Sequence, residues 1–415
     1  MTTTSALTTT APAATISLPV IAASIRTLQA ELNDLFPERE PVVTQLVYGL
    51  LTREHVLVFG TYGTGKSRLV DRFFGAFTDA NLFSVECTKF MTESNVVGIP
   101  NPKKLREEGR IWHDREGTIL DAQFAELDEL FDANDPLLRT LLGILNERRF
   151  IRGVQREKAN LHTALASTNA DPEAVVKQSP TLGALIDRFL FQTQVKYLQQ
   201  GESRRRMFAK YLSDERPTGG IPYKEVDMLA TAVRNLEIDD PVLLDLHDQI
   251  VQAFQTASGK IFSDRRACKA LELAKANAFL FGRTEVTPDD FLATAWAFCK
   301  GHDTVTLDQF KEVATPLIEK VVKERKPDIV RTQMKLIDEF EKRVPQPIPV
   351  AGATDAQPTS DELVALRRTL VQLQSDVMAI RPSHAAVEDR QKKLVTLIGK
   401  IKGDVGKLID GEAVV

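Results

Sequence analysis

A glycine-rich stretch followed by a lysine and a serine carries the clearest chemical signal in this chain. It reads G-x-x-x-x-G-K-S and comprises Gly60, Thr61, Tyr62, Gly63, Thr64, Gly65, Lys66 and Ser67. Glycines let consecutive backbone N–H groups point inward at phosphate oxygens, and a helix that begins there adds partial positive charge. We therefore predict a phosphate-binding loop, in which Lys66 reaches the β- and γ-phosphates of a nucleotide and Ser67 gives its hydroxyl to Mg²⁺.

The residues on either side of the loop supply the strand and the helix that such a loop requires. Val56–Phe59 is an apolar run that predicts a buried strand, and residues 68–74 have the periodicity of a helix. This strand–loop–helix order favours nucleotide binding over a chance match of the motif.

Two acidic residues, Asp128 and Glu129, follow another apolar run at residues 124–127. An acid at a strand tip can hold Mg²⁺ through water, and its neighbour can orient and deprotonate the attacking water. We assign Asp128 to the metal and Glu129 to the water. Taken alone, the two acids could simply form a turn at the strand end. Glu126 lies inside the run, which is unusual for a buried position, and we expect it to face a subunit interface.

Asn169 follows a further apolar run at residues 165–168. A neutral amide at a strand end can hydrogen-bond the attacking water or the γ-phosphate without repelling it. Because Asp171 and Pro172 come next, Asn169 could equally form a turn. The residues alone leave both interpretations open.

Apolar runs that alternate with helical segments indicate the fold class. The runs cover residues 56–59, 82–85, 124–127, 163–167 and 189–195. Such alternation predicts an α/β fold, with a parallel sheet that carries helices on both faces. A ligand on such a sheet sits at the carboxyl ends of the strands, which is where the predicted loop falls.

The chain divides into segments of different character. From about residue 199 the strand signal disappears, and beyond a Pro-rich stretch two apolar seams with heptad spacing flank Pro382. These seams predict an antiparallel hairpin, either a coiled-coil spacer or a docking module for a partner. We expect a disordered tail at 1–18, an α/β core at 19–198, a helical lid at 199–305, a helical extension at 306–344, a Pro-rich linker at 345–359 and the hairpin at 360–411.

Composition excludes several classes of protein. Hydrophobic content of 43% and charged content of 27% are ordinary for a globular protein, and a net charge of −4 does not favour a nucleic-acid partner. The three cysteines lie far apart, and the histidines form no metal-binding motif. No apolar run reaches the ~20 residues of a membrane span, and the first residues do not resemble a secretory signal. We expect a cytoplasmic protein.

The order of these motifs resembles that of the AAA+ ATPases, and more closely that of the MoxR/RavA group within the helix-2-insert clade. The phosphate loop is followed by the acid pair, LLRTLLGILNERRF, ASTN and ALIDRF, over roughly residues 37–300. The resemblance implies an AAA+ P-loop sheet followed by a small all-α lid. Residues 92–122 would carry the helix-2 insert, with strand–turn–strand at 109–120, and residues 146–161 would form a hairpin.

The resemblance also implies roles for single residues. Asn169 matches sensor 1, and Arg188 matches the arginine finger that enters a neighbouring subunit's site. Residues 263–266 match the sensor 2 segment; we carry that role to Arg265, with Arg266 as the alternative. A guanidinium suits the charge of a transferring phosphoryl group, although ordinary surface salt bridges would also account for these arginines. Many members have Pro-Pro where this chain has Thr61 and Tyr62, but the cradle uses backbone amides.

By resemblance the chain would be a Mg²⁺-dependent ATPase that forms a ring, a hexamer, and remodels or matures a protein target. Such proteins often work with a partner that contains a von Willebrand factor A (VWA) domain. Three other functions stay open at this point: an ATP-binding scaffold or switch with little turnover, a nucleic-acid motor, and a small-molecule kinase. Stimulation of hydrolysis by DNA or RNA would distinguish the motor.

Overall fold

The computed structural model describes residues 17–176, 180–213, 215–299, 304–324, 326–344, 360–380, 382 and 385–409. The expected linker, and the expected tail up to residue 16, lie outside these residues. The strands are β1 Val56–Phe59, β2 Phe77–Thr78, β3 Leu82–Glu86, β4 Phe124–Asp128, β5 Arg149–Arg152, β6 Gln155–Lys158, β7 Thr163–Thr168, β8 Phe191–Gln194 and β9 Ile221–Pro222.

Helices make up most of the rest of the described chain. Two short 3₁₀ helices cover Leu130–Asp132 and Pro288–Thr294. The α-helices are α1 Leu18–Leu35, α2 Glu40–Thr52, α3 Lys66–Phe74, α4 Ser94–Val97, α5 Pro102–Glu108, α6 Asp135–Glu147, α7 Pro172–Val176, α8 Pro180–Ile186, α9 Gly201–Ser213, α10 Tyr223–Asn235, α11 Pro241–Ser258, α12 Asp264–Leu280, α13 Ala295–Phe298, α14 Thr304–Glu324, α15 Lys326–Lys342, α16 Ser360–Met378 and α17 Ala385–Ile409.

Five parallel strands form the central sheet, in the order β3-β4-β7-β1-β8. In register, Val56 of β1 lies between Leu165 of β7 and Phe191 of β8. Because the strands are parallel, the residues that follow β1, β4 and β7 meet at one edge of the sheet. The predicted parallel sheet is confirmed, and its topology brings the three sequence-predicted motifs to the same edge.

Helices cover both faces of the sheet. Side chains alternate along β1, so that Val56 and Val58 join one apolar core and Leu57 joins the other. The first core contains α1, α2, α3 and the helices of the lid, and the second contains α6 and α8. One continuous core therefore joins the lid to the sheet.

The expected all-helical lid contains one short strand. Ile221 and Pro222 form β9, which pairs in parallel with β2 of the α/β core. The pairing continues at the backbone, where the N–H of Ile221 donates to the carbonyl oxygen of Ala76 at 3.1 Å. Two residues are too few to show in an apolar pattern, which is why the sequence did not indicate this strand.

The expected strand–turn–strand at residues 109–120 is wrong. The described structure there has helix α5 just before it and a single bridge between Pro100 and His113. The oxygen of the Asn101 side chain accepts hydrogen bonds from the N–H groups of the first helical turn, and Gly109 ends α5 in the left-handed conformation. These caps define α5, and the residues after it form no strand in the described structure apart from the single bridge at His113.

The C-terminal helices form their own unit. The predicted antiparallel hairpin is confirmed as α16 and α17, whose predicted seams fill one apolar core together with Ile337 and Phe340 of α15. Helix α14 instead packs into the lid core through Phe310 and Ala314. The segment 306–344 is thus shared between two cores. A buried ion pair between Arg26 of α1 and Asp376 of α16, at 2.5 Å, connects the unit to the rest of the chain.

We predict that Ile398→Ala destabilises the C-terminal unit by about 2–5 kcal/mol, because Ile398 is fully buried between the hairpin helices. Its neighbour Leu397 is 37% exposed, and Leu397→Ala should cost no more than ~0.5 kcal/mol. Hydrogen exchange resolved by peptide measures both changes. Equal effects of the two substitutions, or a loss of protection spread evenly over the sheet, would contradict this packing.

Candidate active site

The predicted phosphate loop lies between the end of β1 and the start of α3. Gly60, Gly63 and Gly65 have positive φ values of 137°, 71° and 80°, which other residues rarely adopt. A Cβ atom at Gly60 would lie 2.1 Å from the carbonyl oxygen of Val195, whereas one at Gly63 or Gly65 would meet nothing within 4 Å. The loop therefore packs closely on β8's end at its first glycine and is open at the other two.

Lys66, the first residue of α3, extends from the loop toward the end of β7. Its ammonium donates to the carbonyl oxygen of Gly60 at 2.9 Å and to Oδ1 of Asn169 at 3.1 Å. Burial lowers the pKa of Lys66 from its usual value, and the charges of Glu129 and Asp128 oppose that change. The lysine thus points at the same edge of the sheet as the two acids.

Asp128 ends β4 and is fixed from two directions. The hydroxyl of Ser167 donates to its Oδ1, and the backbone N–H of Glu129 donates to the same atom at 3.1 Å. Ser67 stands exposed in the first turn of α3. Ser67 and Asp128 offer the oxygen ligands that Mg²⁺ prefers, and their residue types fit that ion. Among the described residues, no three His, Cys, Asp or Glu side chains cluster as a metal site.

Glu129 has a strained backbone and a shifted pKa. Its φ of +48° is left-handed, a conformation that costs a non-glycine residue ~1–3 kcal/mol. Its carboxylate accepts hydrogen bonds from the backbone N–H of Asn169 at 3.2 Å and from the side-chain amide of Asn169. Burial raises the pKa of Glu129 above its ordinary value, the Asn169 N–H opposes this, and the charge of Asp128 raises it further. A carboxylate with a raised pKa is a better proton acceptor.

Arg188 and Arg265 both lie beside the carboxylate of Asp187. Their Nη1 atoms are 3.1 Å and 3.6 Å, respectively, from Oδ2 of Asp187. Arg266 is half-buried instead, and its Nη1 donates to the carbonyl oxygens of Leu190 at 2.8 Å and of Ala297 at 2.5 Å. Arg266 is therefore occupied in holding α12 against the sheet, and Arg265 is the arginine of this segment that faces solvent.

These arginines and the phosphate loop lie at opposite edges of the sheet. Leu190, which holds Arg266, immediately precedes β8, and β8 runs parallel to β1. The phosphate loop follows the carboxyl end of β1. A four-residue strand is ~13 Å long, and this length separates the loop from the amino end of β8. The structure brings Lys66, Asp128, Glu129 and Asn169 together, but it does not bring Arg188 or Arg265 to the loop of their own chain.

A cavity of about 430 Å³ adjoins the phosphate loop, and sequence reasoning missed it. Its walls come from the α1–α2 connection, the loop and α9, and they include Phe36, Met207, Phe208 and Tyr211. The signal that could have found it is the row of apolar residues on α9, which is otherwise strongly charged. Arg204 of the basic run 204–206 also lines this cavity.

Arg39 was missed as well, and it connects the cavity to the loop. Its side chain is largely buried, and Nη2 donates to the carbonyl oxygen of Lys196 at 2.9 Å and lies 3.4 Å from that of Thr64. Burial lowers the pKa of Arg39 from its usual value. Arg39 therefore fixes the loop relative to the segment that follows β8.

The fold and the loop define a P-loop protein with an AAA-type lid, and comparisons with known proteins give the family. A family model described as the MoxR domain in the MoxR-vWA-beta-propeller ternary systems matches residues 23–230, and an AAA lid domain model matches residues 241–305. The chain belongs to the MoxR family of AAA+ ATPases. The predicted resemblance to MoxR-type ATPases is thus confirmed, and with it nucleotide binding as a general property of this family.

Individual relatives share less than a third of their residues with this chain over the matched regions. An uncharacterized protein of Methanocaldococcus jannaschii is 28% identical over 325 residues, 76% of this chain and 82% of that protein. Chaperone MoxR1 of Mycobacterium tuberculosis is 27% identical over 189 residues, 44% of this chain and 48% of that protein. A crystal structure of a candidate ATPase from Cytophaga hutchinsonii shares the fold, with a TM-score of 0.52 at 18% identity, over 66% of this chain and 85% of that one.

Among the helices of the described residues, none combines the length and the apolar character that a membrane-crossing helix needs.

We predict that the rate of ATP hydrolysis falls on acidification, because Glu129 must be ionised to accept a proton. Since the pKa of Glu129 is raised, the fall should begin at a higher pH than the ordinary glutamate pKa of 4.5 implies. Asn169→Ala removes a hydrogen bond that stabilises the ionised form. The pKa should therefore rise, and the acid limb of kcat/KM should move to higher pH, while the backbone N–H of residue 169 still donates to Glu129. Ser167→Ala is the matched control, since Ser167 donates to Asp128 instead. An acid limb that stays in place in Asn169→Ala would refute this role.

Proposed function

We propose that this protein hydrolyses ATP with Mg²⁺ in a hexameric ring and uses the energy to remodel or mature a protein target. The observation that supports hydrolysis most directly is the connected set of Lys66, Asn169 and Glu129 at the sheet edge that also carries the phosphate loop. A loop alone would account for binding, whereas a carboxylate with a raised pKa beside it offers a proton acceptor for water.

Each residue of the set has a distinct task in this proposal. Backbone N–H groups of the loop residues Gly60, Thr61, Tyr62, Gly63, Thr64 and Gly65 bind the phosphates. Lys66 exchanges its contact with the Gly60 carbonyl for the β- and γ-phosphates. Glu129 orients the attacking water and accepts its proton, while Asn169 holds the carboxylate and contacts the γ-phosphate side. Ser67 and Asp128 would hold Mg²⁺, which would neutralise phosphate charge when bound.

The cavity beside the loop suits the base of the nucleotide. It directly adjoins Gly63, Thr64 and Gly65, and its aromatic and aliphatic walls can pack against a flat ring system. Because α9 contributes much of the wall, movement of this helix would couple the bound nucleotide to the lid. Arg204 lines the same wall, which favours a nucleotide-facing role over a purely solvated one.

Arg188 and Arg265 act in a neighbouring subunit's site in this proposal. Both lie at the edge of the sheet opposite to their own loop, and they share Asp187 as a charge partner. A head-to-tail arrangement would place this edge against the next subunit's loop and repeat around a ring. Arg265 would thus contribute its charge in trans together with Arg188.

The comparisons supply the support for the target class. The matching family model is described from systems in which MoxR occurs with a VWA protein, and one relative is named a chaperone. We therefore propose a VWA-domain protein as partner, a protein as substrate, and the cytoplasm as the site of action. Nucleic acid is not proposed as a partner, given the net charge of −4.

We predict that Glu129→Gln binds ATP like the wild type but hydrolyses it at least ~100-fold more slowly, because the amide cannot accept the proton. Lys66→Ala should lose tight ATP binding. Nucleotide titration and steady-state phosphate release measure the two properties separately. If the wild type and Glu129→Gln share one negligible rate while ATP still drives assembly, an ATP-binding scaffold describes this protein better.

We also predict that Arg188→Ala retains ATP binding and loses turnover. Mixing it with Glu129→Gln should restore part of the activity, because mixed assemblies then contain interfaces with an intact glutamate on one side and an intact arginine on the other. Arg266→Ala is not a suitable control, since it would disturb the buried contacts of α12. Mixtures of Arg188→Ala with Lys66→Ala offer a second test of the same complementation. No recovery at any mixing ratio would exclude a finger that acts in trans.

A further inference from the structure

The β5–β6 hairpin has one exposed face that is apolar at its centre and positively charged around it. Alternation along β5 places Arg149 and Ile151 on this face, while Phe150 is buried on the other. Their cross-strand partners on β6 are Lys158 and Arg156. Ile151 is 58% exposed, and the three cations are exposed as well. An exposed isoleucine surrounded by three cations has no role in the nucleotide site.

The hairpin is fixed from its other side. Gln155 is fully buried; its Oε1 accepts from the backbone N–H of His113 at 2.8 Å, and its Nε2 donates to the carbonyl oxygen of His113 at 3.0 Å. The His113 ring also meets the Phe150 ring edge-on, with centroids 5.6 Å apart. The segment around His113 therefore holds the hairpin in one orientation and covers the buried face.

The outer edge of β5 has no strand beside it in the described structure, because β5 and β6 form a two-stranded sheet. The N–H of Ala159 donates to the carbonyl oxygen of Arg148 at 2.8 Å, which sets the alternation of the antiparallel ladder. By this alternation, Phe150 and Arg152 bond to β6, and the backbone polar groups of Arg149 and Ile151 point away from it. An open strand edge of this kind can pair with another chain.

This edge opens into a groove of about 590 Å³. All four residues of β5 line it, and no residue of β6 does. The opposite wall is one face of α6, formed by residues at four-residue intervals: Asp135, Arg139, Gly143 and Glu147. Arg152 forms an ion pair with Glu93 at 2.5 Å at the end of the groove. The hydroxyl of Thr140 donates a hydrogen bond to the Glu93 carboxylate. The groove is therefore preformed and bounded by the strand edge at Ile151, whereas at Arg149 the outward carbonyl oxygen lies 3.6 Å from the position of a Cβ atom on Gly143 of α6.

We propose that β5 binds an extended segment of the protein target as an added strand in this groove. The inference rests on the proposed remodelling of a protein, and it adds where the target is held and by what chemistry. Backbone hydrogen bonds to the outward N–H and carbonyl groups of Ile151 give affinity for many sequences. Acidic side chains of the segment pair with the cations on the exposed face, and apolar ones pack on Ile151. Because the cations and Ile151 share one face, the favoured segment carries these acidic and apolar residues at every second position.

Binding of an unfolded acidic protein tests the proposal. The probe is reduced, carboxymethylated α-lactalbumin, added to the full chain with Mg²⁺ and a slowly hydrolysed ATP analogue. Ile151→Pro removes the outward N–H while an edge strand tolerates proline, and we expect at least tenfold weaker binding. Ile151→Val keeps the N–H and should retain binding within about twofold. Val154→Ala is the matched control, since Val154 is 67% exposed on the same hairpin but does not line the groove.

Hydrogen exchange locates the segment directly. With the probe bound, the amide of Ile151 should exchange more slowly, and the basal ATP hydrolysis of Ile151→Pro without probe should equal that of the wild type. Equal probe binding by Ile151→Pro and the wild type, or equal losses in Ile151→Pro and Val154→Ala, would overturn the added strand and leave the proposed function standing.

Three further outcomes separate the alternatives. Slower exchange at β5 on ATP-driven assembly without any probe would assign the groove to a second copy of this chain and overturn the proposal. Binding of single-stranded DNA that is lost in Ile151→Pro, with none of the unfolded protein, would overturn the class of partner. No binding of acidic or basic unfolded proteins by the wild type would contradict the remodelling function itself, and the inference with it.

Discussion

The side chain of Asn169 makes hydrogen bonds in two directions, accepting one from the ammonium of Lys66 and donating one to the carboxylate of Glu129. These contacts join the ends of three neighbouring strands, β1, β7 and β4. They exist because parallel pairing brings the carboxyl ends of these strands to one edge, in a register that places Val56 opposite Leu165. A shift of any one strand would separate the lysine from the acid.

The same parallel order explains why the site looks incomplete within one chain. The phosphate loop, the acids and Asn169 occupy the carboxyl edge, while Arg188 and Arg265 lie at the amino edge around Asp187. The charges of Arg188 and Arg265 are thus available on the molecule, but not at the loop of the same chain. In the proposed ring, the complete active site lies at the interface between subunits, so hydrolysis requires assembly.

Sequence patterns predicted the parts of the fold that depend on local chemistry. The loop was predictable because its positive φ values favour glycine, above all at Gly60, and the hairpin of α16 and α17 because its seams repeat at heptad spacing. Within the expected helix-2 insert, the strand–turn–strand predicted at residues 109–120 is wrong. The insert contains helix α5, which begins after the cap at Asn101 and ends at Gly109.

Other features could not be predicted, because they depend on burial and on contacts between distant segments. Arg265 and Arg266 are adjacent in sequence, and only burial distinguishes the solvent-facing arginine from the one that bonds to Leu190. The cavity beside the loop combines three separate parts of the chain, and Ser167 faces Asp128 only through the pairing of β7 with β4. No periodicity in the sequence records such contacts.

We propose that Lys66, Asn169 and Glu129 act together and that a neighbouring subunit completes their site. A structure of the assembled Glu129→Gln protein with ATP and Mg²⁺ tests this. We expect phosphates on the loop amides, Lys66 moved from the Gly60 carbonyl to the phosphates, and Arg188 of the adjacent copy at the γ-phosphate. A nucleotide bound elsewhere, or residue 129 turned away from the γ-phosphate with no adjacent arginine near it, would rule out this arrangement.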